Sequence, residues 1–172
     1  DGPAYQVNVV GTQNIVEACQ QFGKNIIHIS TAYVFDGKQD KLYTEEVEPN
    51  PIEWYGQTKW EAEQIIKNSN LHWTILRIDQ PFRPDPFEKK DYAHKIIHSL
   101  LKDELYPMFE DHYFTPTYIP DFAKVLDFFV ETEKIGLYHA TNGERWNDFH
   151  FAKTIKEELE LPGGVTKGSI ID

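Results

Sequence analysis

Tyr55 and Lys59 stand four positions apart in Tyr55-Gly56-Gln57-Thr58-Lys59, inside a stretch of helical periodicity. On a helix, positions i and i+4 share a face, so phenol and ammonium point into the same space. A tyrosine titrates near 10 when unperturbed, and a nearby cation favours the phenolate and lowers that value. Such a phenol can exchange a proton with a substrate oxygen near neutral pH. The pair alone is common in surface helices; Ser30-Thr31 upstream adds weight, because it ends a short β-branched run and places a hydroxyl where a parallel strand terminates. Hydroxyl, phenol and ammonium together suit carbonyl reduction, in which one group orients the oxygen, one donates a proton and one tunes the donor.

The elements that must position these groups are legible in the apolar pattern. Val7, Val10, Ile15, Val16, Ala18 and Cys19 are spaced for one face of a helix over Tyr5–Phe22, which Gly23 stops. Asn25–Ser30 reads as a buried strand, Asp36-Gly37 as a turn, and the acidic, proline-bearing Lys38–Pro51 as a surface loop. Helical periodicity returns over Glu53–Lys67, and His72–Ile78 is the next strand. Strand, helix, strand in this order predicts a parallel crossover and an α/β sheet. Beyond it, Gln80–Pro86 holds three prolines, Asp91–Lys102 is a polar-faced helix, and Glu110–Pro120 reads as aromatic and irregular. Asp121–Glu133, Gly136–Ala140 and Asn147–Leu159 then predict helix, strand and helix, with Asp121 and Asn147 as N-caps. Gly163-Gly164, following the last helix, reads as its stop.

Composition removes several function classes. The 172 residues carry 17 Lys+Arg against 28 Asp+Glu, a net charge of −11, which weighs against nucleic acid. A chain of this length buries ~70% of its extended surface on folding, and 40% hydrophobic residues supply the core. No apolar run reaches the roughly 20 residues needed to span a bilayer, so no membrane association is expected. The single cysteine, Cys19, reads as a buried side chain in a reducing compartment, and the cytoplasm is the expected location. His94 and His98 have i, i+4 spacing but no third ligand nearby, and read as a solvated helix face; no metal is expected. The acidic run over residues 40–48 reads as a solvated loop, and the four tryptophans, which share no period, as packing.

Taken together, several stretches resemble the extended short-chain dehydrogenase/reductase superfamily, most closely its dTDP-4-dehydrorhamnose reductase branch. They are Tyr5-x-Val7-Asn8-x-x-Gly11-Thr12-x-Asn14, Ser30-Thr31-Ala32-Tyr33-Val34-Phe35-Asp36-Gly37, Tyr43-x-Glu45 with Pro49, and Tyr55-Gly56-x-x-Lys59. Ile75-Leu76-Arg77, Thr115-Pro116-Thr117-Tyr118 with Asp121-Phe122-Ala123, and Gly136-Leu137-Tyr138-His139 follow in the family's order. The resemblance implies the C-terminal part of a Rossmann-like doubly wound parallel sheet over residues 1–80. A smaller α/β substrate-binding lobe then occupies 81–172, with helix 121–133 packing back on the Rossmann part. It implies that Thr31 binds the sugar keto oxygen, that Tyr55 is the proton donor, and that Lys59 holds the nicotinamide ribose and lowers the tyrosine. Asn8 and Arg77 match positions near the cofactor channel. Ala32, Tyr33, Phe82, Thr115 and Thr117 join Thr31 as substrate-binding positions. The implied cofactor is NADP or NAD, the partner a nucleotide-sugar substrate, and hydride passes to a C4 keto group.

Departures from the family pattern carry expectations of their own. Ala32 stands where the reductase branch has aspartate and looks more like the nucleotide-sugar epimerases. His112 and Phe114 stand where the family often has glutamine and glycine, and a bulky Phe114 is expected to occupy volume at the substrate contacts. The family's glycine-rich pyrophosphate turn has no counterpart here, and the only methionine is Met108. The expectation is a fragment lacking the first half of the nucleotide-binding domain, binding cofactor weakly by itself and presenting Asn25–Ser30 as an edge that invites homo-oligomerisation. A non-catalytic role remains open, since the family also resembles the regulatory subunit of methionine adenosyltransferase.

Overall fold

The computed structural model describes residues 2–85 and 87–170, so Pro86 of the proline-bearing segment lies outside it. The fold is mixed α/β and divides into two compact units, residues 1–78 with 124–140 and residues 79–123 with 141–172.

The first unit opens on α1 (residues 3–22), α-helical over Pro3–Tyr5 and Gly11–Phe22 with a π-helical segment, Gln6–Val10, between them. Gly23 takes φ 60° and ends the helix, with Lys24 N–H on the Cys19 carbonyl at 2.8 Å. That left-handed geometry costs glycine little, so the predicted stop is met. The buried stripe differs from the one expected. Val9, Thr12 and Val16 face inward, whereas Val7 and Ile15 are exposed and Cys19 is half-buried. A π segment advances the register by one residue, which a reading at constant helical period does not register.

Strand β1 (Ile26–Thr31), helix α2 (Trp54–Lys67) and strand β2 (Trp73–Ile78) form the predicted parallel crossover, with Ser30 opposite Arg77 and Thr31 opposite Ile78. Between β1 and α2 lie a 3-10 turn, Ala32–Val34, and a long loop without regular structure. Val16, Ile26, Ile66 and Ile75 form the core that joins α1, α2 and the sheet.

The second unit begins with β3 (Pro81–Phe82) and helix α3 (Tyr92–Leu101), whose N-cap Asp91 accepts from His94 N–H at 2.9 Å. Short strand β4 (Met108–Phe109) precedes the stretch Glu110–Pro120 expected to be irregular, and β5 (Tyr113–Phe114) and β6 (Thr117–Tyr118) fall within it. Two-residue strands leave no periodicity to detect, which is why the pattern missed them. Helix α4 (Ile119–Thr132) starts two residues before Asp121, so this carboxylate sits in the first turn and is not the cap. There it still favours the positive end of the helix dipole. Strand β7 (Gly136–His139) joins β2 in parallel in the first unit, giving the order β1-β2-β7. In the second unit β8 (Trp146–Asn147) pairs antiparallel with β5, and Asn147 caps α5 (Asp148–Glu158) as expected, accepting from His150 N–H at 2.8 Å. Gly163 lies five residues past α5 at φ 81°, packed on the Leu100 carbonyl, and is a loop residue there and not the helix stop. Strand β9 (Lys167–Gly168) pairs with β4.

Phe114 is 4% exposed and lies edge-on to Phe151 at 5.1 Å and Tyr92 at 5.7 Å, among Ile96, Leu100 and Met108. The bulk expected to intrude on ligand contacts is therefore spent on the core of the second unit. Replacing Phe114 with alanine is expected to cost about 3–5 kcal/mol, read as a lowered urea midpoint.

Candidate functional site

Gly56 sets how α2 meets the end of β1. A Cβ there would collide with the Tyr33 carbonyl oxygen and press on Pro51, so only glycine lets the first turn of α2 rest against the 3-10 turn. Tyr55 is thereby brought near Thr31, whose hydroxyl favours the phenolate, while the Tyr33 ring meets Tyr55 edge-on at 5.9 Å. Thr31 Oγ1 also accepts from Tyr33 N–H at 3.2 Å, which leaves the hydroxyl proton to be donated. Thr31 is buried and Tyr55 is 46% exposed, so the pair has one supported side and one open side.

The electrostatics differ from the spacing argument. Tyr55 is raised above the ordinary tyrosine value by burial, with the Thr31 hydroxyl working in the opposite direction. Lys59 Nζ donates to the Ile29 carbonyl at 2.7 Å and lies 3.2 Å from His28 Nε2. Its own value is lowered by burial, against the pull of Glu63. Neither Lys59 nor any other cation contributes to the Tyr55 shift, so the expected depression of the phenol is absent from this arrangement.

Asn8, in the π segment, donates to Thr58 Oγ1 at 3.0 Å, and Thr58 donates to the Tyr55 carbonyl at 2.8 Å. Asn8 thus braces the turn that carries the phenol. Arg77 does not join this group. It is 2% exposed, with Nε and Nη2 on the two Glu63 oxygens at 2.9 and 2.7 Å, and its guanidinium packs over the Phe35 ring. Burial raises Glu63, but the Arg77 hydrogen bonds and charge outweigh it and hold the carboxylate below its ordinary value. Ala32 lies half-buried in the 3-10 turn.

The remaining substrate candidates belong to the second unit. Phe82 is half-buried against Phe151 and Tyr118. Thr117 is 3% exposed and its Oγ1 accepts from Asp79 N–H at 3.1 Å, while Thr115 N–H donates to Asp79 Oδ2 at 2.9 Å. Asp79 had not been singled out from the sequence. Its signal was a lone carboxylate directly after the buried run Ile75-Leu76-Arg77-Ile78. Thr58 gives no signal until the helix is seated, Gly56 shows only as part of the Tyr55-Gly56-x-x-Lys59 motif, and His28 reads from its strand as a hydrogen-bonded core or rim residue.

A parallel α/β unit with a hydroxyl at a strand end and a phenol on the following helix defines the Rossmann-like class of the extended short-chain dehydrogenases/reductases. Within it, the chain belongs to the RmlD substrate binding domain family, whose model matches residues 2–168. It is 33% identical over 162 residues to a dTDP-4-dehydrorhamnose reductase of Aggregatibacter actinomycetemcomitans, covering 87% of this chain and 52% of that protein. It is 29% identical over 167 residues to methionine adenosyltransferase 2 subunit beta of Rattus norvegicus, covering 92% and 49%. Its fold matches a dTDP-4-dehydrorhamnose reductase of Bacillus anthracis solved in complex with NADP at a TM-score of 0.89 and 28% identity, over 97% of this chain and 58% of that one. The chain spans about half the length of the curated relatives it matches. Among the described residues, no helix is long and apolar enough to cross a membrane.

His28 makes this region sensitive to acid. Burial and the Lys59 charge lower its pKa to about 4, against 6.5 unperturbed. The unfolded chain binds the proton first, so the folded state loses stability as pH falls from about 6.5 towards 4, by up to about 3 kcal/mol. Urea unfolding at stepped pH is expected to show this loss, and His28→Asn to remove most of it between those limits.

Proposed function

We propose that this chain supplies the carbonyl-reducing residues of an NAD(P)-dependent reductase acting on a nucleotide-linked 4-keto-deoxysugar. The observation that carries the reading is the approach of the Tyr55 phenol on α2 to the Thr31 hydroxyl at the end of β1, in a chain of this family. The Tyr55 phenol donates its proton to the C4 oxygen, and the Thr31 hydroxyl orients that oxygen. NADP or NAD, when bound, supplies the hydride. Tyr55 and Lys59 fit the nicotinamide-ribose end of such a cofactor, because they share one face of α2. Asn8 and Arg77 serve it from behind, one through Thr58 and the other through Glu63. We read the first unit, with Ala32 and Tyr33, as the catalytic part, and the second, with Phe82, Thr115 and Thr117, as the substrate-receiving lobe. The single half-buried Cys19 fits a reducing cytoplasm.

A regulatory role is the second reading, favoured by the 29% identity to methionine adenosyltransferase 2 subunit beta over 92% of this chain. Ala32 leaves room for an epimerase with the same hydroxyl and phenol. Dinucleotide oxidation in the full-length protein separates the three. A reductase consumes NAD(P)H stoichiometrically with the keto sugar, an epimerase shows no net absorbance change, and a regulatory protein shows no turnover. For the reductase, Tyr55→Phe is expected to lower kcat about 10²–10⁴-fold with little change in thermal stability. A full-length protein that binds neither nicotinamide cofactor nor nucleotide sugar would overturn the reading.

Homo-oligomerisation of this chain is also proposed. Strand β1 pairs with β2 on one side and with no strand on the other among the described residues, and Ile29 on it is 41% exposed. An open strand edge recruits another. Light scattering over a concentration series is expected to give a mass that rises above 20.1 kDa; a constant monomer mass would count against it.

A further inference from the structure

His28 stands three residues before Thr31 on β1, and neither proton donation nor the orientation of the keto oxygen calls on it. Alternate residues of a strand share a face, and Ile26 packs in the core with Ile66 of α2, so His28 is also turned towards that helix. Lys59, two helical turns before Ile66 on α2, meets it there. The lysine Nζ is 3.2 Å from His28 Nε2 and donates to the Ile29 carbonyl at 2.7 Å. Strand β1 thus holds the lysine with two consecutive residues, one through its ring and the other through its backbone.

An ammonium has three hydrogens to donate and no lone pair with which to accept, so the imidazole is the acceptor. That requires a bare Nε2 and a proton on Nδ1, the neutral ring. Burial is the larger cause, and the Lys59 charge the next, that lowers the His28 pKa to about 4 against the pull of Glu63, so the ring keeps this form through the neutral range. Glu63, one turn further along α2, has both oxygens engaged by Arg77 and acts on Lys59 through its charge. Among the described residues, His28 and Ile29 are therefore the groups to which Nζ donates, and they occupy two of its three hydrogens. A lysine stem is long and flexible, and two acceptors in fixed positions remove that freedom before any ligand arrives.

We propose that His28 is a positioning residue for Lys59: its Nε2 and the Ile29 carbonyl hold two of the ammonium hydrogens and leave the third for a hydroxyl of the cofactor ribose. The ribose clause rests on the reading in the preceding subsection; the contact between His28 and Lys59 does not. Lys59 makes no contribution to the Tyr55 shift, so loosening it weakens dinucleotide binding and leaves the phenol as it was.

Imidazole nitrogen-15 shifts of this chain at neutral pH read the contact directly. The Nδ1–H tautomer of His28 is expected; an Nε2–H tautomer or a doubly protonated ring overturns the proposal. In the full-length protein, two carboxamides separate an acceptor in the right place from one that is merely polar. His28→Gln carries its terminal oxygen to about the reach of Nε2, whereas His28→Asn ends near the place of Nδ1, short of Lys59. The Gln variant is expected to keep KM for NAD(P)H near the native value and the Asn variant to raise it about tenfold, with kcat and KM for the nucleotide sugar unchanged in both. Equal KM in the two variants, or a loss that falls on kcat instead, would mean that His28 does not position the lysine. Should the Asn variant not fold, His28→Leu, which has no acceptor, takes its place in the comparison with the same expectation. A native full-length protein that binds no dinucleotide would sink the reductase reading and leave the tautomer to judge the contact.

Discussion

The first turn of α2 rests against the carbonyl of Tyr33, and this contact exists because residue 56 has no side chain. Everything at the proposed catalytic position follows from that approach. It seats the Tyr55 phenol against the Thr31 hydroxyl, and it fixes Thr58 where Asn8 can brace it from the π segment of α1. A larger residue would press on backbone, which cannot turn aside as a flexible side chain can, and the strain would fall on Thr31 and Tyr55.

Beneath this contact lies a second constraint, the buried pair of Glu63 and Arg77. Its members come from α2 and β2, and both are almost wholly removed from water. Two parallel hydrogen bonds at 2.9 and 2.7 Å, the Phe35 ring over the guanidinium and Lys67 at 3.5 Å from the carboxylate make the burial tolerable. Loss of one partner leaves an uncompensated charge and costs about 3–5 kcal/mol, which places Arg77 among the residues that hold the helix on the sheet.

The sequence revealed what depends on long periodic segments and on chemically distinctive residue pairs. The β1–α2–β2 crossover, the Gly23 and Asn147 helix ends, and the pairing of residues 31 and 55 all rest on such local signals. What it hid depends on tertiary distance or on segments too short to have a period. The two-residue strands around Phe114 gave no alternation, and across the π segment Val9 and Thr12 join the expected Val16 in the buried stripe of α1 in place of Val7 and Ile15. Lys59 is the clearest case. Helical spacing places it on the face of Tyr55, but spacing is silent about the Ile29 carbonyl and His28, which hold the ammonium in the folded chain.

Both units place ionisable groups in low dielectric and compensate them differently. In the first, arginine supplies a charge that pH does not remove, so Glu63 stays paired across the whole neutral range. In the second, Asp148 accepts from the Tyr92 hydroxyl at 2.6 Å and lies 2.9 Å from His112 Nδ1, while Asp79 accepts from the Thr115 amide at 2.9 Å. The helix that carries Tyr55 is therefore fixed by a buried ion pair, whereas the loop that carries Thr115 and Thr117 is fixed by hydrogen bonds with a buried aspartate, in which backbone amides replace the water that burial removes.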